Sequence, residues 1–420
     1  MRSRYSQLSY VLLGLCSFLA VAISPAVTQD CHASDFKSRM AAMAKKMEES
    51  GVVYVIAATD FYQGVTSGGV DENFENGVKI DQFLMLDTTK MGLWEGMNVI
   101  IHAESRLGDD VNLQAVGFSP VNVAMLYPKS NEHDTAITGF QFSQALSEEV
   151  QFTFGKFNAL DMFYLLYPQT GRGVSGFMNA SMVIPLSVAR VAPLSFMGAG
   201  FMTLQGKQIQ GGLLAYDTNN IPTTSGFDDM FDNGANIMGF WRFFTDFGGL
   251  PGSHLFGGVA STGQFTSLDP TGWEFIPGQG IVVPQETGAY TLLYIAEQTL
   301  WLDDYNMDRK VTLLSQNGFS DESTSPYSWS TNVAVQSTGL FESRPQDAIG
   351  IGAFYTGVSD DLKNLLFPFL DVQDVYGAEL YYNMEIAKCF HLTSDLQFVE
   401  PGNAANDTAI VVGLRATLAL

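Results

Sequence analysis

Charge is scarce in this sequence: only 15% of its residues are Asp, Glu, Lys or Arg, too few to cover the water-facing surface of a soluble protein of this size. Basic residues are scarcest. Twenty-one Lys and Arg stand against 44 Asp and Glu, a net charge of −23, and this excludes nucleic acid as a partner, because phosphate binding rests on cationic side chains. Long apolar runs are missing too. Beyond the N-terminus no eighteen-residue stretch is apolar enough for a transmembrane helix. Five histidines are scattered without metal-ligand spacing, and no serine sits in a nucleophile elbow. Two short motifs mislead. "GRGVSG" (Gly171 to Gly176) fits a dinucleotide pattern but follows "YPQT" rather than a buried strand, and "DFG" at Asp246 to Gly248 has no other kinase element beside it. The chain reads as no enzyme, with no cofactor and no metal. The acidic stretches Asp228 to Gly234 and Asp303 to Asp308 read as solvated loops before calcium sites.

Cysteine is nearly absent, and its placement is informative. Arg2 and Arg4 precede the apolar run Val11 to Ile23 and the small residues after it, the pattern of a secretory signal peptide over residues 1–29, with cleavage between Ala26 and Asp30. Cys16 lies inside that run after Leu15, which does not fit a lipoprotein signal. Two cysteines remain, Cys31 and Cys389, in a chain exported to an oxidising compartment. Residues 30–51 form a periplasmic segment with one helix: Ser34 or Asp35 caps it, Phe36, Met40, Met43 and Met47 share a face, and Gly51 stops it.

What is abundant is glycine (41), phenylalanine (31) and a two-residue period. In "MNVIIHAESRL" Val99, Ile101, Ala103 and Leu107 share one face, and Asn98, His102, Glu104 and Arg106 share the other. The alternation returns in "VYGAELYYNMEIA", "FHLTSDLQFV" and the last thirteen residues. Over 52–420 it gives about sixteen strands, one of them at 188–204, joined alternately by tight turns such as "LSEE" and long polar loops. An oily face free of charge, opposed to a polar one, fits an antiparallel transmembrane β-barrel whose outside meets lipid. Aromatic clusters at 61–63, 162–168 and 240–244 read as an interfacial girdle. A soluble secreted carbohydrate-binding β-protein is the alternative from another class, although sixteen strands with so little surface charge would aggregate.

"MEESGVVYVIAATDFYQGVTSGG", "GVKIDQFLMLDTTKMGLWEGMNVIIHAESRLGDDVN", "GFQFSQALSEEVQFTFGKFNALD" and the closing "FHLTSDLQFVEPGNAANDTAIVVGLRATLAL" together resemble the OprB-type carbohydrate-selective porins. Residues from about 190 to 375 match only in strand and loop rhythm. The resemblance implies an outer-membrane barrel of a Gram-negative-type bacterium through which sugars, glucose among them, diffuse passively. Its implied partners are sugar solutes, outer-membrane lipid, the barrel-assembly machinery and further copies of the chain. One departure is Leu420, where such barrels commonly end on an aromatic residue. A general or cation-leaning porin is the other reading of the same architecture, given the acidic excess.

By alternation, the expected pore-lining side chains are His102, Glu104 and Arg106, then Glu379, Asn383, Glu385, Asp395, Gln397 and Arg415 in the last three strands. Polar groups of moderate charge suit neutral, polyhydroxylated solutes. Lys156 falls by plain alternation with Phe152 and Phe154, but Gly155 before it permits a bulge that would turn it inward. Arg242 faces opposite Trp241, in a weaker strand. If strands alternate in direction, "AKCF" is a periplasmic turn, and a Cys31–Cys389 disulfide would tie the N-terminal segment to the barrel floor.

Overall fold

The computed structural model describes residues 42–115, 117–128 and 135–419. The signal-peptide reading, Cys31 and Leu420 fall outside these residues. A helix covers 42–49, with most of its residues exposed. Then eighteen strands follow: β1 Val52–Ser67, β2 Phe74–Asp87, β3 Met97–Gly108, β4 Thr135–Ala145, β5 Val150–Asn158, β6 Ser195–Gln205, β7 Gln208–Asp217, β8 Ala235–Phe247, β9 Leu250–Thr266, β10 Glu274–Ile276, β11 Gly280–Val282, β12 Gln285–Leu302, β13 Lys310–Ser320, β14 Tyr327–Thr338, β15 Ala348–Val358, β16 Val375–Ala387, β17 Phe390–Glu400 and β18 Ala409–Ala419. Strands β10 and β11 make a separate hairpin in a loop, and the other sixteen form one closed antiparallel barrel. The sixteen-strand reading therefore holds. Closure comes from β1 against β18, in register from Ala57 opposite Ala419 to Ser67 opposite Ile410. With both edges paired, every barrel strand has two neighbours, which a bilayer without water requires.

Tight turns such as 206–207, 248–249 and 388–389 lie on the rim where β1 begins and β18 ends, and the long connections lie on the other. By the usual rule for such barrels, the first rim is periplasmic. No described helix is long and apolar enough to cross a membrane; here strands cross. Their outer faces carry Phe201, Leu213, Ile237, Trp241, Phe243, Phe256 and Ile351, all exposed. Near one rim Trp329, Tyr355 and Tyr376 stack with centroids 4.8 and 5.8 Å apart.

Two readings need correction. The strand expected at 188–204 begins only at Ser195, because Pro193 has no N–H to give to a ladder. The aromatic run at 162–168 is no girdle. Ala159–Leu166 is a helix inside the barrel, started by the Asn158 side chain, which accepts from the N–H groups of Leu160 and Asp161.

Gly155 has φ +128°, and a Cβ there would run into the Phe140 carbonyl. Outward Phe154 stacks on Phe142 and Phe152 meets Phe201 at a tilt, whereas Lys156, one residue past the glycine, is buried and donates to the carbonyls of Ile137 (2.7 Å) and Thr224 (2.8 Å). A Gly155→Ala variant should lose about 1–3 kcal/mol of stability from the strained backbone. This would be read as a lower temperature for conversion of the folded to the heat-denatured band on a gel.

Candidate functional site

The connection 159–194 does not stay at the rim but folds into the lumen. Lumen-facing side chains of three wall sectors hold it there. On the β16–β18 side, Glu379 accepts from the N–H groups of Met178 (2.5 Å) and Asn179 (3.0 Å). Gln397 accepts from Asn179 Nδ2 and donates to the Val121 carbonyl. Arg415, fully buried, donates to the carbonyls of Gly173 (2.9 Å) and Gly176 (3.0 Å) and to Thr393. Asn383 donates to the Ser175 carbonyl and contacts His391, while Asp395 accepts from Gln397. Glu385 lies half-buried at the periplasmic end of β16. Its backbone N–H donates to Asp347.

The β2–β3 side is ionic. Lys79 Nζ lies 2.5 Å from Glu104 Oε1, and Glu104 also accepts from Asn158 (2.9 Å) and Thr138. His102 faces a carboxylate through each ring nitrogen, Asp81 at 3.0 Å and Asp161 at 2.6 Å. Arg172 completes the chain with Nη1 at 2.7 Å from Asp161 Oδ1. Arg106 stands apart, paired with Asp110. Burying this many charges is tolerable only because each meets an opposite charge or a hydrogen-bonding partner. Asp81, His102 and Glu104 come close enough together to suggest a metal site. The donor set does not fit one, because Lys79 already stands beside Glu104 and both His102 nitrogens are engaged.

The third anchor is Arg242 in β8, which sequence reading ranked low. It bonds Ser253 (2.9 Å), Glu297 (3.0 Å) and the Leu166 carbonyl (3.2 Å), and its guanidinium lies 5.0 Å from the Tyr167 ring centroid. Arg242 therefore ties the end of the inward helix to the wall.

Four groups that sequence reading missed gather at the end of the ionic chain on the β2–β3 side. The Arg172 guanidinium lies over the rings of Phe83 (4.9 Å) and Tyr164 (5.3 Å), and Asp161 holds it from the side. The alternation of Lys79, Asp81 and Phe83 along β2 was a usable signal for Phe83. None existed for Arg172, which lies in a kinked turn with φ +53° inside the set-aside "GRGVSG". Phe83 is already covered, with the His102 ring stacked on it at 3.9 Å and the guanidinium over it, so Tyr164, which is exposed, is the ring beside these charged hydrogen-bonding groups on which a pyranose could stack. On the periplasmic side a polar cavity of about 270 Å³ is lined by Gln169, Gln336, Tyr381, Asn383, His391 and Thr417.

A family model described as carbohydrate-selective porin, OprB family, matches residues 79–420. Porin B of Pseudomonas aeruginosa is 26% identical over 140 residues, 29% of this chain and 30% of that protein, so the match spans under a third of the relative's length. The high-pH structure of Pseudomonas putida OprB superposes with a TM-score of 0.77 at 18% identity, covering 91% of this chain and 97% of that one. A loop-deletion mutant of the Vibrio cholerae outer membrane protein OmpT superposes at 0.52 with 10% identity, covering 88% of this chain and all of that one. At these identities the two structures speak for the barrel alone.

Proposed function

Because this chain belongs to the OprB family of carbohydrate-selective porins, we propose that it lets sugars such as glucose diffuse passively across the outer membrane of a Gram-negative-type bacterium. It acts as a channel rather than an enzyme. The observation that carries the reading is the lumen cluster where Arg172 and Asp161 stand beside the exposed ring of Tyr164. A solute there exchanges water for hydrogen bonds to fixed charges and for ring contact. On this reading the lumen side chains His102, Glu379, Asn383, Gln397 and Arg415 set the bore by holding the inward loop, while Glu104, Arg106, Lys156, Glu385 and Asp395 are the other polar groups that would line the passage or its wall.

Liposomes carrying the purified protein should swell faster in glucose and small oligosaccharides than in amino acids of matching size. Equal rates would favour a general or cation-leaning porin, the reading that the net charge of −23 supports.

The same proposal has residues 1–29 removed as a signal peptide, 30–51 lying in the periplasm and 52–420 as the barrel, assembled with lipid by the outer-membrane machinery and associating with copies of itself. Cys389 sits in the tight turn on the rim where β1 begins, and the proposal includes a bond from it to Cys31, which lies outside the described residues. A reducing agent should then slow gel migration and expose two thiols; unchanged mobility and thiol count would exclude the bridge.

A further inference from the structure

The two sides of the lumen differ in chemistry. Met202, Met238, Leu255 and Ile295 make the inner wall of β6 to β12 apolar, whereas the cavity of about 270 Å³ beneath the inward loop, against β14 to β18, is polar. Among the described residues no Asp, Glu, Lys or Arg lines it, although the chain holds 44 acidic and 21 basic residues. The nearby charges Glu379 and Arg415 are engaged by backbone groups of the loop. An ion entering this cavity would exchange its water for neutral dipoles alone, whereas a neutral polyol would exchange water for equivalent partners.

Those partners are set in advance by neighbouring amides. Asn383 Nδ2 donates to the Ser175 carbonyl (3.0 Å), so Oδ1 is the amide atom that faces His391 Nδ1 at 2.9 Å. His391 therefore carries its proton on Nδ1 and keeps Nε2 as an acceptor. Gln336 Nε2 donates to Tyr381 Oη (2.8 Å) and to the Gln169 carbonyl (2.8 Å), and this leaves the Tyr381 hydroxyl with its own proton to give. The edge-on Phe177 ring, 5.0 Å from that of Tyr381, fixes the phenol in place. One acceptor and one donor held this way suit sugar hydroxyls, each of which both donates and accepts. The cavity has the volume of about nine waters, against about six for a hexopyranose and about twelve for a disaccharide.

We propose that this cavity binds one neutral hexose on its way to the periplasm, with the Tyr381 hydroxyl donating to it and His391 Nε2 accepting from it. The proposal rests on the sugar-passing reading above. A disaccharide binds less tightly, because its second ring has to leave the cavity.

The test uses the full chain in planar bilayers, with glucose and then maltose titrated against the ion current. Glucose should reduce the current saturably, with a half-maximal concentration below that of maltose. Tyr381→Phe removes only the hydroxyl, and His391→Phe removes the acceptor while keeping a ring. Each should weaken glucose by about threefold to tenfold, as loss of one hydrogen bond does, and bring it toward the maltose constant, in protein whose heat-modifiable migration shows an intact barrel. Glucose constants unchanged in both variants overturn the site, as does a reduction of current that never saturates or that favours maltose in the unmodified protein. An equal weakening of glucose and maltose shows that the variants disturb the loop rather than a hexose site, and overturns it too. Any of these results beside normal glucose-driven swelling defeats the site alone. Absence of swelling in glucose defeats the sugar-passing reading and the site with it.

Discussion

Replacing Glu379 by alanine should release the inward loop from the β16–β18 wall and widen the pore. The carboxylate is fully buried and accepts two backbone N–H groups, those of Met178 and Asn179, at the start of the short helix Ala180–Val183. No other side chain shares both donors. Removal leaves two buried N–H groups without acceptors, each costing about 1–3 kcal/mol, and takes away an acidic neighbour of Arg415. The Gly173 and Gly176 carbonyls held by Arg415 belong to the same stretch of loop, so both contacts on that side weaken together. The barrel, closed by its own ladder, should survive, and the cost falls on the loop. Expected results are a rise in single-channel conductance, swelling by larger oligosaccharides that the unmodified protein excludes, and unchanged heat-modifiable migration. Glu379→Gln, which keeps an acceptor oxygen, should recover part of the original size limit. Unchanged conductance and size limit in Glu379→Ala would show that the loop holds its place without this anchor.

That prediction concerns a loop that sequence reading did not see, and the reason is physical. The barrel was legible because one solvent, lipid, lies outside and another set of contacts lies inside, so every strand repeats with a period of two. Residues 99 to 107 and 378 to 386 announce it with few exceptions. The inward loop obeys no such rule. "ALDMFYLLY" is apolar enough for a strand, and what makes it a helix is one capping side chain, Asn158, together with the space inside a barrel. The inward orientation of Glu379, Gln397 and Arg415 was readable from alternation, whereas their partners were not, being groups of Gly173, Gly176, Met178 and Asn179 in the inward loop and the Val121 carbonyl, two hundred or more residues away. For Lys156 the legible signal was the glycine before it. Arg242 was undervalued because its partners, Glu297 and the Leu166 carbonyl, lie in other strands and in the loop. The apolar inner face of β6 to β12 was invisible for a related reason: a lumen was expected to be polar, and alternation alone does not say which apolar face looks inward.

Asp161→Asn should turn the pore toward anions. Asp161 is the shared partner of His102 and Arg172, at 2.6 and 2.7 Å. Around it the fixed acids are Asp81 and Glu104, and the bases are Lys79 and Arg172. In the unmodified chain three carboxylates therefore face two fixed cations and one histidine. Asparagine keeps the size and can still bond to the imidazole and the guanidinium, so the loop should stay in place, while one negative charge is removed next to the Arg172 guanidinium. In a narrow, low-dielectric passage a single fixed charge changes the local ion concentration on the order of tenfold. The zero-current potential in a salt gradient should accordingly move toward the anion value, and more so at low salt, where screening is weak. Sugar-driven swelling should change less, because a neutral solute does not respond to the fixed charge. Arg172→Gln in the same background should reverse the shift by removing the uncompensated cation. If the potential does not move in Asp161→Asn, the Asp161–Arg172 pair lies off the ion path, and the passage must be sought along the polar cavity lined by Gln336, Asn383 and His391.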